Sequence, residues 1–125
     1  MKYILLSFIF CFSAFQPVSV QNTPVVEWTT PMDHDLGDIE LEKPVTVQFQ
    51  YINISDKAIT IDNVRPTCGC TAPTWTDAPI EPDSIGTIEI EYSASQPGYF
   101  RKKIKVFFNA QQKAERLYVE GFVEE

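Results

Sequence analysis

The sequence predicts an all-β domain, a sandwich of two antiparallel sheets built from short strands. Three observations carry this. Apolar and polar residues alternate with period two in run after run, and no window of eleven or more residues holds a helical period. Nine Pro among 125 residues would also interrupt most helices. The length suits a single domain able to bury roughly two-thirds of its unfolded surface. With 22% charged and 13% aromatic residues, the chain is not a disordered tail.

The first element is an address. Met1-Lys2 gives a short positive start, and Tyr3 to Phe15 is a nearly unbroken apolar run. That run has signal-peptide length, whereas a spanning helix needs about 20 apolar residues. A signal peptide is expected over 1–21, with the cut position open because no small-x-small tripeptide appears, and one domain over 22–125. Cys11 follows Phe10 inside the apolar run, so it does not read as a lipidation site. The mature chain is expected to be exported, to the periplasm or cell surface, without a membrane span. Its charge excludes another class of partner. The formal net charge is -7, and losing Lys2 makes it -8. Nucleic acid calls for clustered Lys and Arg in a basic field, so none is expected.

The strands follow in order. Val25 to Thr29 reads as the first. From Val45, the odd positions Val45, Val47, Phe49 and Tyr51 are apolar, with Thr46, Gln48 and Gln50 between them. Ala58 to Val64 repeats the pattern through Ile59 and Ile61. Thr87 to Tyr92 places Ile88, Ile90 and Tyr92 inward and Glu89 and Glu91 outward. Phe100 to Phe108 sets Phe100, Ile104, Val106 and Phe108 against Arg101, Lys103 and Lys105, and Leu117 to Val123 alternates again. Turn signals separate them: Asn53 to Asp56, Arg65-Pro66, Glu81-Pro82-Asp83 and Gln96-Pro97-Gly98. Short strands at this spacing predict an immunoglobulin-like sandwich. The last three strands are expected to be neighbours. Glu89 and Glu91 then face Arg101, Lys103 and Lys105, Val106 pairs with Val119, and Phe107 lies opposite Tyr118.

Several motifs follow one another along the chain: His34-Asp35-Leu36-Gly37, Phe49-x-Tyr51-x-Asn53, Ile59-x-Ile61-x-x-Val64 and Thr67-Cys68-Gly69-Cys70-Thr71. Pro79-Ile80-x-Pro82, Gly86-x-Ile88, Gly98-x-Phe100-x-Lys102, Val106-x-x-Asn109 and Leu117-x-Val119-x-Gly121 follow. In these the chain resembles the bacterial exported family known as domain of unknown function 1573, from about Val26 to Val123. The Cys-Gly-Cys-Thr run is the most specific element, and Leu36 stands where the family more often has Phe. The resemblance implies an immunoglobulin-like sandwich akin to the sperm-protein and cilia-associated modules that mediate interactions. It implies no known activity.

The residues supply no catalytic set. The single His, His34, adjoins Asp35, and neighbours in an extended segment point to opposite sides. Nucleophile elbow, HExxH and phosphate-loop patterns are missing from the sequence. The chain is read as a non-enzyme without cofactor and with no metal assigned. Cys68 and Cys70, the only Cys after the leader, are the candidate redox or metal residues. Three readings stand: a disulfide, a metal-binding thiolate pair, or inert thiols at a tight turn. A three-residue loop contributes only about 1.6 kcal/mol of chain entropy, so a bridge there is no staple, and strain would leave it easily reduced. A closed zinc site needs four ligands, and only His34 could join the pair. The turn itself is expected to be partly exposed, outside the main core, at the end of the strand carrying Ile59 and Ile61. Asn53-Ile54-Ser55 matches a glycosylation acceptor but reads as a turn. Phe107, Tyr118 and Phe122 fall on outward positions and are the candidate partner face. The expected function is an exported, non-catalytic interaction module of the bacterial cell envelope. It would bind another envelope or secreted protein through a sheet face or edge. The alternative is a periplasmic thiol-redox or metal-handling protein acting through Cys68 and Cys70.

Overall fold

The computed structural model describes residues 13–17 and 23–125. Most of the expected leader, with Cys11, lies outside the described residues. Eight strands form two four-stranded sheets: β1 (Val26–Trp28), β2 (Asp33–Glu40), β3 (Val45–Asn53), β4 (Ile61–Pro66), β5 (Thr71–Trp75), β6 (Ile85–Tyr92), β7 (Gly98–Phe108) and β8 (Glu115–Glu124). The first sheet has the order β1-β3-β6-β5 and the second β2-β8-β7-β4. The fold is an immunoglobulin-like sandwich. Among the described residues, no helix is long and apolar enough to cross a membrane.

Alternation explains the six strands read from the sequence. In β3, Val47, Phe49, Tyr51 and Asn53 are buried. In β6 and β7, Ile88, Ile90, Ile104, Val106 and Phe108 are buried against them. Ile59 precedes β4 and forms an isolated bridge with Ile80, so regular pairing starts at Ile61. Arg65 and Pro66, read as a turn, instead finish β4, with Pro66 beside Ile104 as the last pair. Lys102 shares the inward side of β7, half-buried between Phe100 and Ile104. Those two residues belong to different apolar clusters, a main one and a smaller one around Ile39, Tyr92, Ala94, Phe100 and Val123.

Two strands were not read from the sequence. β2 runs parallel to β8, with a bulge between Asp35 and Asp38 where Gly37 takes φ +67. Glycine adopts that conformation without strain, and the bulge breaks the alternation that would have revealed the strand. β5 is short and carries Pro73, tolerable because the strand is an edge.

The expected pairing of the last three strands is corrected in two respects. β6 and β7 lie in different sheets, because residues 93–97 cross the sandwich with Ala94 fully buried and its carbonyl accepting from the Glu42 N–H at 2.9 Å. Glu89 therefore faces Gln48 and Thr74, and Glu91 faces Thr46 and Ala72, rather than the bases of β7. The β7–β8 hairpin is also displaced from the expected register. Val106 pairs with Glu115, Ile104 with Leu117 and Arg101 with Glu120. The parity is as expected, so the same side chains still face the core.

Tyr51 anchors one end of that core. Its ring is 1% exposed and meets Trp28 and Phe108 edge-on, at 5.4 and 5.1 Å between centroids. Burial pushes its hydroxyl from 10.0 up to about 12. A folded-state value above the unfolded one gives a contribution that is complete below pH 10.0 and is lost as pH rises towards 12. Denaturant titrations across that window are expected to show a fall of about 2–3 kcal/mol, diminished in Tyr51→Phe.

Candidate functional site

The cysteines lie where the chain passes from one sheet edge to the other. β4 closes the edge of the second sheet, and β5 opens the edge of the first. The Thr67 N–H and hydroxyl both donate to the Lys103 carbonyl, at 3.1 and 3.0 Å. The Thr71 hydroxyl donates to the Cys68 carbonyl at 3.1 Å, and the Ser93 N–H donates to the Cys70 carbonyl at 2.9 Å. Between these anchors Cys68 and Cys70 form a disulfide with Cα atoms 5.1 Å apart. Both are half-buried, Gly69 is exposed, and Cys70 packs on the smaller cluster. The crossover is thus held from both sides by hydrogen bonds independent of the sulfurs. Replacing both Cys by Ser is expected to lower stability by no more than about 1.6 kcal/mol, measured by urea unfolding. A complete loss of folding would show the bridge to be the staple it is argued not to be.

His34 does not join them. It sits on β2, at the opposite edge of the second sheet from β4, half-buried with its ring edge-on to Phe49 at 6.2 Å. Asp35 turns away and accepts the Gly37 N–H at 2.8 Å. Among the described residues, no three His, Cys, Asp or Glu side chains converge as a metal set would require. His34→Ala is expected to leave the fold intact, with a change in melting temperature of a few degrees at most.

The four sheet edges are poorly suited to adding a strand. β1 has three residues, and β5 carries Pro73. β4 has a bulge and ends in Pro66, while β2 has a bulge and carries Asp33, Asp35, Asp38 and Glu40. Bulges, charges, prolines and short length are the ways sheets blunt their edges.

The outer face of the second sheet has a different character. Its side chains form rows across the strands, set by the pairing. From one end they run Glu40 and Glu124; then Asp38, Phe122 and Tyr99; then Asp35, Glu120 and Arg101. Beyond these come Asp33, Tyr118 and Lys103; then Arg116, Lys105 and Arg65; and last Phe107 with Asn63. The middle is self-satisfied. Arg101 reaches Asp33 at 2.7 Å and Glu120 at 3.1 Å, and its guanidinium lies 4.3 Å from the centre of the Tyr118 ring. The hydrogen bond to Asp33 raises the Arg101 pKa further. Tyr99 donates to Glu120 at 2.9 Å, and that bond raises the phenol pKa.

The three sequence-predicted face residues are therefore not one patch. Phe107 is half-buried with the Arg65 guanidinium 5.2 Å above its ring, Tyr118 is covered by Arg101, and Phe122 stands apart at 47% exposure. The partner of Phe122 is Tyr99, directly across the ladder and 68% exposed. Tyr99 was missed because only the true register brings the rings together. They border a shallow hollow with Asp35, Asp38 and Glu120.

The family described as "Protein of unknown function (DUF1573)" matches residues 26–123. A search of the curated proteins found no match. Among solved structures, the chain is similar to the ASH/PapD-like domain (PapD-like domain 7) of human CEP192, with TM-score 0.69 and 11% identity over 88% of this chain and 92% of that one. It is also similar to a protein of unknown function from Porphyromonas gingivalis W83, with TM-score 0.68 and 15% identity, covering 87% of this chain and 51% of that one. The YadV chaperone matches with TM-score 0.52 and 13% identity over 81% of this chain and 52% of its own. At these identities the likeness is one of fold.

Proposed function

Because the chain belongs to the family of proteins of unknown function DUF1573, whose residues here form a PapD-like β domain, we propose that it serves as an exported, non-catalytic interaction module of the cell envelope. Its binding surface is the outer face of the second sheet. The observation that carries this reading is the Tyr99–Phe122 pair, two large rings left in solvent on a sheet whose core is already filled. Aromatic rings with polar surroundings are the usual anchors of protein interfaces. The blunted edges favour a face over an edge. Export rests on the apolar leader, with the mature domain beginning near residue 22. The partner is another exported protein.

The test is a double substitution, Tyr99→Ser with Phe122→Ser. Both rings are exposed, so unfolding by urea is expected to shift by less than about 1 kcal/mol while binding to an envelope partner falls at least tenfold. Undiminished binding would remove the face from consideration. Replacing Cys68 and Cys70 by Ser is expected to leave binding intact, which separates this reading from a thiol-based activity.

A further inference from the structure

The basic end of the same face has a feature that folding does not require. Arg65 pairs directly with Lys105, and Lys105 pairs directly with Arg116, so three cations stand side by side across three strands. Like charges directly opposite one another destabilise a sheet, and this row sits in a chain of net charge -7. Among the described residues, none of the three forms an ion pair; Arg65 is eased only by the Phe107 ring. The opposite end of the face carries the converse set: Asp38, Glu40 and Glu124 around the exposed Tyr99 and Phe122. Glu40 is shared with Lys43 beyond the strand, and Asp38 and Glu124 have no ion pair among the described residues.

The geometry points to a second copy of this chain as an occupant of the face, an inference that rests on the binding face proposed above. A two-fold axis lying in the face and running across the strands turns the sheet end for end. The aromatic-acidic end of each copy then lies over the Arg65–Lys105–Arg116 row of the other, and both contacts form at once. Surfaces with complementary ends are self-complementary under such an axis, which is what an isologous dimer needs. Tyr99 and Phe122 come over Lys105 and Arg116, where a cation meets an aromatic ring. Asp38 and Glu124 neutralise the row from its sides. The acidic and basic rows lie about 20 Å apart along the strands, and the face covers roughly 600 Å² per copy at ordinary strand spacings. A standard interface takes about 800 Å² per partner, so the dimer is a weak, electrostatically aligned one.

Sedimentation equilibrium of the purified protein tests this. The wild type is expected to self-associate at low ionic strength and to weaken about tenfold or more between about 50 and 500 mM salt. Two double variants reverse the ends separately: Asp38→Lys with Glu124→Lys, and Lys105→Glu with Arg116→Glu. Each alone is expected to be monomeric, while an equimolar mixture recovers a dimer, because the charged groups at both ends of the mixed pair again meet opposite charges, although one end loses its cation–aromatic contacts. A wild type that stays monomeric throughout overturns the proposal, as does a dimer indifferent to both reversals or a mixture that fails to recover. The underlying binding face is judged separately by photo-crosslinking from position 122. Crosslinks to another protein from a monomeric chain remove the second copy but keep the face, and an absence of any crosslink removes both.

Discussion

Gly86→Ala is expected to destabilise the domain by about 3 kcal/mol or more, as read from urea unfolding. A Cβ at this position would lie 2.2 Å from Tyr51 Cζ, 2.3 Å from its hydroxyl and 2.7 Å from Cε1. The ring cannot swing aside, because Trp28 and Phe108 hold it edge-on and it is 1% exposed. β6 cannot retreat readily either, since it pairs with β3 on one side and β5 on the other. Shrinking the obstacle should relieve the clash. In a double-mutant cycle, Tyr51→Leu with Gly86→Ala is expected to cost about 2 kcal/mol less than the two single changes summed. Additivity would show that the clash is not the cause.

Asn53→Ala is expected to cost about 3 kcal/mol. Asn53 is fully buried, and its amide nitrogen donates to the carbonyls of Lys57 and Ile80 at 2.8 and 2.9 Å. Its side-chain oxygen accepts from the Ser55 N–H and hydroxyl at 2.9 and 2.7 Å. Its backbone N–H donates to the Ser84 carbonyl, and its carbonyl accepts from Asp83. One side chain therefore ties together the β3 turn and the segments leading into β4 and β6. Alanine removes four hydrogen bonds at once, leaving the Lys57 carbonyl only the Ser55 hydroxyl and the Ile80 carbonyl only the Ile59 N–H as donors. Asn53→Asp should be at least as costly, since it aims a carboxylate at those same carbonyls. A loss below about 1 kcal/mol, by chemical denaturation, would mean that water replaces the amide at little cost.

The contrast between what the sequence discloses and what it conceals follows from the period-two signal. Alternation identifies which side of a strand faces the core, and Phe49, Ile88, Ile104 and Leu117 were all found where it put them. It does not say which sheet a strand joins, because both sheets face the same core. The loop around Pro97-Gly98 read as joining two neighbouring strands, but the buried methyl of Ala94 and the step between sheets are tertiary facts. Register is hidden for a related reason. Moving β8 by an even number of residues keeps every apolar side chain inward, so hydrophobicity alone cannot choose. Finer contacts accompany the actual register: Gly121 lies opposite Phe100, where a Cβ would come within 3.0 Å of its ring and 2.8 Å of the Gly37 carbonyl.

The site was legible to the same depth. Cys68 and Cys70 stand out in any reading, and Phe122 was recognisable as an outward ring. Tyr99, and the Arg65–Lys105–Arg116 row, emerge only once the ladder is aligned. Asp33 to Glu40 was not assigned as a strand because four of its residues are carboxylates and its parallel pairing with β8 spans a bulge. That strand nevertheless supplies the acidic border of the face.

The claim that the outer face of the second sheet is where this protein meets others is tested most directly by comparing crosslinks from the two faces. A photoreactive residue is placed at Phe122 on the second sheet in one variant and at Thr87, on the outer face of the first, in another. Crosslinked products are resolved by mass after expression in the native host. Products from position 122 with none from position 87 are the expected result. Products from position 87 alone, or equally from both, would contradict the account.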